Sequence, residues 1–455
     1  MFYGLILLSL VFLLITLYII RKRKIIYPYN VQKDYYYNFK NTRSEITTYI
    51  LEDSIINLSN LCLNEKTVFL EISLKSTFLG KIFQPYIEIK SEKNLDIQYF
   101  EHNVCGKRYL NLSSFVVLGN KKIILNGKNL YIKNQNVKII SFKKKSLNNK
   151  KILILSPHPD DAEISAYGLY SHYNTNTYIV TITAGNGGAQ QYSDLYTEKV
   201  QHYQKKGRIR TWNSISIPLL AGIDHNNILN LGFFDGSLKS MYEDKKVTIK
   251  SKYTKNSNID YFRNQNISSL KSKLSGVSNW NSLVENLCIL IKEIEPDIII
   301  SPYSAIDWHS DHKYSTIALL EALEILKIKK GELFLYTNHY SLTEFYPYGK
   351  QESIVSLPPS FQEIYFETIY SYNLSNIDQK DKVIALDAMN DLRPNIKWIN
   401  GDIKLALKNR ILNILGIELN YYKLAVRRNE LFFTVQISSL FKSDISKKII
   451  NEKKD

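Results

Sequence analysis

At 455 residues the chain is longer than one average domain, and with 44% hydrophobic and 22% charged residues it has the makeup of packed cores, not of a disordered or fibrous protein. The formal net charge of +16 admits an anionic partner, but the lysines are scattered and accompany no helix-turn-helix or RNA-binding signature, which argues against nucleic acid. The three cysteines, Cys62, Cys105 and Cys288, form no CxxC pair and no disulfide framework, and read as small buried hydrophobes.

The stretch from Phe2 to Ile20, FYGLILLSLVFLLITLYII, is uncharged. It is long enough for a bilayer core of about 30 Å. Arg21-Lys22-Arg23-Lys24 follows at once. A cleavable signal peptide carries its charges before the apolar run and ends in small residues, so the pattern predicts an uncleaved single-pass anchor over 2–20. Basic flanks stay on the cytoplasmic side, which places the bulk of the chain in the cytoplasm, with an extracytoplasmic domain as the alternative. Residues 21–65 read as a stalk or linker. From 66 to 143 short β-branched and aromatic segments (TVFLEISL, PYIEIK, LDIQYF, KKIILNG, NVKIISF) alternate with turn signals such as Asn126-Gly127. This spacing predicts a small β-sandwich-like accessory domain. A glycan-binding module and a plain structural spacer both fit it.

A basic linker, Lys144 to Lys151, leads into KILILSPHPDDAE, a buried-strand pattern that ends in a polar loop. TYIVTITAGNGG reads as a second strand with a Gly-rich turn, SLVENLCILIKEIEPDIIISPY as a helix, a turn at Pro296 and a strand, and STIALLEALEILK as a helix. Strands alternating with helices predict a mostly parallel α/β sheet over 150–440, whose ligands bind beyond the carboxyl ends of the strands. The polar stretch 239–273 reads as a loop insertion, and 441–455 as a basic tail.

Both chemistry-bearing clusters fall at such strand ends. His158-Pro159-Asp160-Asp161 follows Ile152-Leu153-Ile154-Leu155, and His309-Ser310-Asp311-His312 comes after Asp297-Ile298-Ile299-Ile300. Asp-Asp after Pro also suits a turn and helix N-cap, and a lone His-x-x-His also occurs by coincidence on surfaces. Two clusters at two strand ends, in a chain with 8 histidines, favour a metal site. Two His and one carboxylate with an open position is a usual catalytic zinc arrangement.

HPDDAE followed by a hydrophobic helix and a distant HSDH resembles the PIG-L/LmbE-like deacetylases, zinc-dependent enzymes acting on N-acetylglucosamine-containing substrates. Thr183-Ala184-Gly185-Asn186-Gly187-Gly188, Leu231-Gly232-Phe233-Phe234-Asp235-Gly236, the segment from Tyr372 through Lys382 and Ala385 to Arg393, and Glu430-Leu431-Phe432-Phe433 resemble further family segments. The resemblance spans roughly Lys150 to Ser439 and implies a Rossmann-like sheet. It implies zinc on His158, Asp161 and His312, Asp160 as general base, and His309 as oxyanion stabiliser or acid with Asp311 beside it. Arg208 and Arg210 are implied substrate-binding positions, and Asp235 reads either as a ligand of a sugar hydroxyl or as a turn residue before Gly236. The segment Arg208-Ile209-Arg210-Thr211-Trp212 departs from the family, which often has Glu near Trp212, and Arg393-Pro394-Asn395 departs from its Arg-Ser-Gln. The expected reaction is hydrolysis of an N-acetylated sugar, with the apolar N-terminus pointing to a membrane-associated glycan or glycolipid. Other readings are a metal-dependent hydrolase of an ester or phosphate, and a non-catalytic glycan-binding membrane protein.

Overall fold

The computed structural model describes residues 18, 21, 23–58, 63, 65–92, 94–119, 122–392, 407, 410, 424–442 and 444–450. Two antiparallel sheets come first. One runs β1 (Ser44–Ile50), β9 (Asn136–Lys143), β3 (Lys66–Ser76), β6 (Cys105–Asn111), with β8 (Leu130–Ile132) also paired to β3. The other runs β2 (Ile55–Asn57), β7 (Lys122–Lys128), β4 (Tyr86–Lys90), β5 (Leu95–Tyr99).

Side-chain alternation decides what β3 touches. Val68, Leu70, Ile72 and Leu74 join Ile87, Ile89, Ile123 and Leu125 in a core between the two sheets. Phe69, on the opposite face, joins Tyr109, Ile140 and Phe142 in the core of the following unit. Tyr35, Tyr37 and Phe39 fill the same seam. The segment 21–65, which reads as a stalk, thus contains β1 and a buried aromatic strap. Asn111 ties the units further, donating from Nδ2 to Val355 O at 2.9 Å and to Ser371 Oγ at 3.1 Å.

The second unit is a seven-stranded sheet ordered β12 (Ile228–Phe233), β11 (Thr177–Thr183), β10 (Ile152–Ser156), β13 (Ile298–Pro302), β14 (Glu332–Tyr336), β16 (Asn429–Gln436), β15 (Thr368–Asn373). Its long helices are α1 (Asp161–His172), α2 (Lys199–Leu220), α3 (Trp280–Ile294), α4 (Ser310–Ile325) and α5 (Asn376–Ala388). β10, β13 and β14 are buried along their whole length, which is why they read as unbroken apolar runs. β10 and β13 lie side by side in parallel, so the loops that follow them open at one edge.

α1 breaks at Ala166, where φ is −142°. Glu430 accepts from Gly168 N at 2.9 Å and Leu169 N at 3.0 Å, capping the second half as an N-terminal carboxylate does. Lys382 Nζ holds Glu430 at 2.8 Å and also reaches Ile164 O at 2.9 Å. These family-like positions thus set the course of the helix whose first residue is Asp161.

Two expectations are corrected. Among the described residues nine of the thirteen strand pairings are antiparallel, so the sheets are not mostly parallel in the Rossmann manner. The physical reason is local. The short strands before residue 144 all pair antiparallel, and β16 enters the second sheet antiparallel to both its neighbours. Parallel pairing is confined to the five strands from β12 to β14. Second, among the described residues no helix is long and apolar enough to cross a membrane, so placement as a single-pass membrane protein is not supported. α2 has 22 residues but carries Lys205, Lys206, Arg208 and Arg210. The predicted anchor, 2–20, lies outside the described residues apart from Tyr18.

The 239–273 insertion contains two short helices, Leu238–Glu243 and Asp260–Arg263. It packs on the Gly-rich turn. A Cβ on Gly187 would come 2.5 Å from Tyr253 Cε2 and 2.8 Å from Asp235 Oδ2, so only glycine lets the insertion lie there. In the stretch read as a basic tail, Ile445–Ile450 is helical and Ile449 is fully buried.

Candidate metal centre

Three strand ends meet at the site. β10 leads into His158, Asp160 and Asp161, β13 into Asp307, His309 and His312, and β14 into Asn338 and His339. Asp161 opens α1 and His309 is the N-cap of α4, so each cluster is held by a strand on one side and a helix on the other.

The expected ligands converge. His158 Nδ1 lies 3.3 Å from Asp161 Oδ2, and His312 Nε2 lies 3.2 Å from the same oxygen. Donors that share a four-coordinate zinc at about 2.0–2.1 Å stand roughly 3.3 Å apart. His312 Nε2 is buried and makes no hydrogen bond in spite of that proximity, and His309 Nδ1 is likewise buried without a partner. A buried ring nitrogen left unpaired is costly, and a cation held between His312 Nε2 and Asp161 Oδ2 removes that cost for His312, leaving His309 Nδ1 open. Ring nitrogens of His158, His309 and His312 all lie within 4.8 Å of one another.

Carboxylates orient the imidazoles from behind. Asp307 Oδ2 lies 3.0 Å from His312 Nδ1, and Asp311 Oδ2 lies 3.2 Å from His158 Nε2. Such partners fix the ring and leave the other nitrogen for a metal. Asp307 also accepts from the backbone N–H of His309 at 3.0 Å and of His339 at 3.2 Å. Asp311 is held by Gly236 N at 2.6 Å. Asn338 Nδ2 donates to Asp161 Oδ1 at 2.8 Å, which leaves Oδ2 facing the histidines.

Electrostatics point the same way. Burial disfavours charge on His312, yet Asp161 and Asp307 raise its pKa to about 10. Burial likewise opposes charge on His158, but its bonds to Asp161 and Asp311 and the charge of Asp235 carry it well above the usual imidazole range. Asp161 is desolvated too, and His312 and His158 nonetheless hold its carboxyl well below the ordinary value. The four aspartates thus draw positive charge into the cluster, which a divalent cation supplies while displacing the ring protons. His309 behaves oppositely. Burial, then the charges of His158 and His312, push it down to about 4.

Asp160 stands beside this cluster with φ at +138°, a strained conformation for a residue with a side chain. Burial raises its pKa to about 7, although Arg210 works against the shift. Arg210 Nη2 donates to Asp160 Oδ2 at 2.9 Å and to Pro159 O at 2.9 Å, and Nη1 lies 3.2 Å from Asp391 Oδ2. Arg210 is therefore a clamp on Asp160. Arg208 is exposed on the outer side of α2, away from the cluster. Asp235 Oδ2 accepts from Gly187 N at 3.1 Å, and its Oδ1 lies 3.7 Å from His158 Nε2. Asp311, which the family resemblance sets beside His309, bonds to His158 instead and makes no hydrogen bond to His309. Asp307, Asn338, His339 and Asp391 are absent from the sequence reading. Asp307 was detectable as a further acid in the same strand-end loop, and Asn338-His339 as polar residues one position beyond the strand run ELFLY.

Residues 153–323 match the family model described as PIG-L, GlcNAc-PI de-N-acetylase. No curated protein matches the chain. Among solved structures it is similar to the A40926 pseudoaglycone deacetylase Dbv21, with 15% identity over 64% of this chain and 99% of that one and a TM-score of 0.33. It is similar to the zinc-inhibited form of teicoplanin deacetylase Orf2, with 16% identity over 63% and 98% and a TM-score of 0.34. It is also similar to GalB, a 4-carboxy-2-hydroxymuconate hydratase from Pseudomonas putida KT2440, with 12% identity over 53% and 79% and a TM-score of 0.32. None of the three is close enough to transfer a substrate or a residue role. The family match covers His158, Asp160, Asp161, His309 and His312 in one stretch, and the chain accordingly carries a PIG-L domain in residues 153–323, of the metal-dependent deacetylase (amidase) class.

Proposed function

We propose that the chain is a zinc-dependent N-deacetylase that hydrolyses the acetamide of an N-acetylglucosamine-type sugar. The observation that carries this reading is the convergence of His158 Nδ1 and His312 Nε2 on Asp161 Oδ2 at 3.3 and 3.2 Å, with Asp160 adjacent. His158, Asp161 and His312 would hold the metal. When bound, zinc supplies Lewis acidity, which acidifies water and draws charge from the amide carbonyl.

The chain's own groups do the rest. Asp160 takes the proton of the attacking water at Oδ1, because Oδ2 is engaged by Arg210. The strained backbone of Asp160 and the Arg210 clamp hold its carboxylate in one orientation. His309, held by its own N–H on Asp307 and kept neutral by burial and the neighbouring imidazoles, offers an Nδ1–H to the developing oxyanion, and Asp160 returns the proton it took from water to the leaving amine, giving free amine and acetate. Asp311 and Asp307 keep the ring orientations of His158 and His312. In this reading Asp235, which accepts from Gly187 N, also accepts from a sugar hydroxyl.

The test is acetate release from a panel of GlcNAc-containing sugars by the purified chain. Release is expected with zinc, lost with a chelator and restored by added zinc. His312→Ala is expected to retain less than stoichiometric zinc by elemental analysis. Acetate release unaffected by exhaustive chelation sinks the metal assignment.

A further inference from the structure

We infer that Trp308 is the platform on which the pyranose ring of the substrate stacks, a specificity residue that rests on the sugar-deacetylase reading above. Its indole is 51% exposed, whereas Trp280 is fully buried. The ring leans on the site itself. Its centroid is 5.5 Å from that of His309 at an interplanar angle of 48°, and 5.6 Å from that of His339 at 64°.

The exposure is built in and cannot be relieved by the backbone. Trp308 N donates to His339 O at 3.0 Å. On one side Asp307 is buried and committed to His312 and to the N–H of His309. On the other, His309 is the N-cap of α4. Residue 308 is therefore pinned at both neighbours, and its half-exposed indole lies against the rings of His309 and His339 beside the histidine–aspartate cluster.

A large aromatic ring left half in water next to a reacting centre suits a ligand that offers a C–H face and polar edges. A pyranose does so. Its axial hydrogens meet the electron-rich face of the indole while its hydroxyls stay free for groups such as Asp235. An acyclic acetamide has no such face, so the platform discriminates between sugar and non-sugar amides, not between fast and slow chemistry.

The experiment compares the zinc-loaded full chain with Trp308→Ala, Trp308→Phe and Trp212→Ala. Trp212 is a control because it is 50% exposed but lies on α2. The substrates are a GlcNAc disaccharide and N-acetylethanolamine. Trp308→Ala is expected to raise KM for the disaccharide at least tenfold with a smaller change in kcat. The ratio of kcat/KM for disaccharide over acyclic amide should fall by a similar factor. Trp308→Phe should restore most of that ratio, and Trp212→Ala should leave it unchanged. Tryptophan emission should shift on adding the disaccharide to the parent chain and not to Trp308→Phe. An unchanged ratio in Trp308→Ala, or an equal loss of kcat on both substrates, overturns the platform and leaves the deacetylase reading standing. Acetate released from the acyclic amide but from no sugar overturns the sugar reading and the platform with it.

Discussion

Two buried charged clusters in this chain look alike by composition and differ in how they are satisfied. At the seam between the antiparallel sheets and the second unit, Arg108 and Glu101 pair at 3.1 Å, and both side chains are 1% exposed. Each of the five N–H groups of Arg108 finds an acceptor: the two Glu101 oxygens and the carbonyls of Val31, Lys33 and Lys107. Tyr35 OH donates to Glu101 Oε1 at 2.5 Å. Nothing on Arg108 is left over. In the candidate metal cluster, Asp161, Asp311 and His312 are buried and His309 is half-buried, yet His309 Nδ1 and His312 Nε2 have no partner and the carboxylates are in excess. A closed network holds structure, whereas a buried network with convergent open atoms is arranged to receive something.

The comparison breaks if the metal cluster is structural, and Asp160→Asn probes this with the largest expected effect. It should lower kcat by about 10²- to 10⁴-fold while zinc content and Tm stay near those of the parent, read by acetate release and elemental analysis. A loss of zinc in parallel would move Asp160 from base to ligand. The opposite pole is Arg108→Met, which leaves Glu101 buried without its cation. It should cost about 3–5 kcal/mol in denaturant unfolding, with the double replacement Arg108→Met/Glu101→Gln costing less. An unchanged unfolding midpoint in the single variant would mean that the seam cluster carries no stability.

Asp307→Asn sharpens the boundary between the two kinds of cluster, because Asp307 is closed like Glu101 but serves an open histidine. Zinc affinity, measured by competition with a chelator, should weaken about 10- to 100-fold. A further test concerns pH. His102 is buried beside Tyr27, whose hydroxyl lies 3.0 Å from its Nδ1, and burial, with the Arg23 charge, pushes its pKa down to about 3. The unfolded imidazole titrates near 6.5, so the unfolded state takes up the proton first. Stability is thus complete above about pH 6.5 and falls as pH drops toward 3, by at most ~1.4 kcal/mol per unit. Tm of His102→Asn should fall less between pH 6.5 and 4 than Tm of the parent. Identical slopes would assign the acid sensitivity elsewhere.

The core of the site was legible because its residues sit in two short stretches directly after apolar strand patterns. His158, Asp160, Asp161, His309 and His312 needed no long-range information beyond the expectation that neighbouring parallel strands bring their ends together. Asp307 and His339 were less visible, since neither lies inside a motif and each matters only through a partner that folding supplies. Arg208 and Arg210, both expected as substrate-binding positions, differ in setting for a helical reason. Two residues apart on α2 they point to different sides, so Arg210 is buried against Asp160 while Arg208 faces outward. Asp311 was read as the partner of His309, its near neighbour in sequence, but chain proximity does not decide hydrogen bonds, and it turns toward His158 across the cleft. The strap from Tyr35 to Phe39 reads as linker because its buried residues are aromatic with polar tips and its strand-like alternation is short.

By itself the sequence determined the chemistry available: two imidazole–carboxylate clusters at strand ends, a Gly-rich turn, and β-rich and α/β halves. Those follow from local pattern, because side-chain period and turn residues are properties of short segments. Tertiary structure decided which nitrogen faces the convergence point, which carboxylate orients which ring, that antiparallel pairing dominates, and that Trp308 is left uncovered. These depend on contacts between residues far apart in the chain, such as Asp311 with His158 or Phe69 with the second unit, and no local pattern encodes a partner so distant.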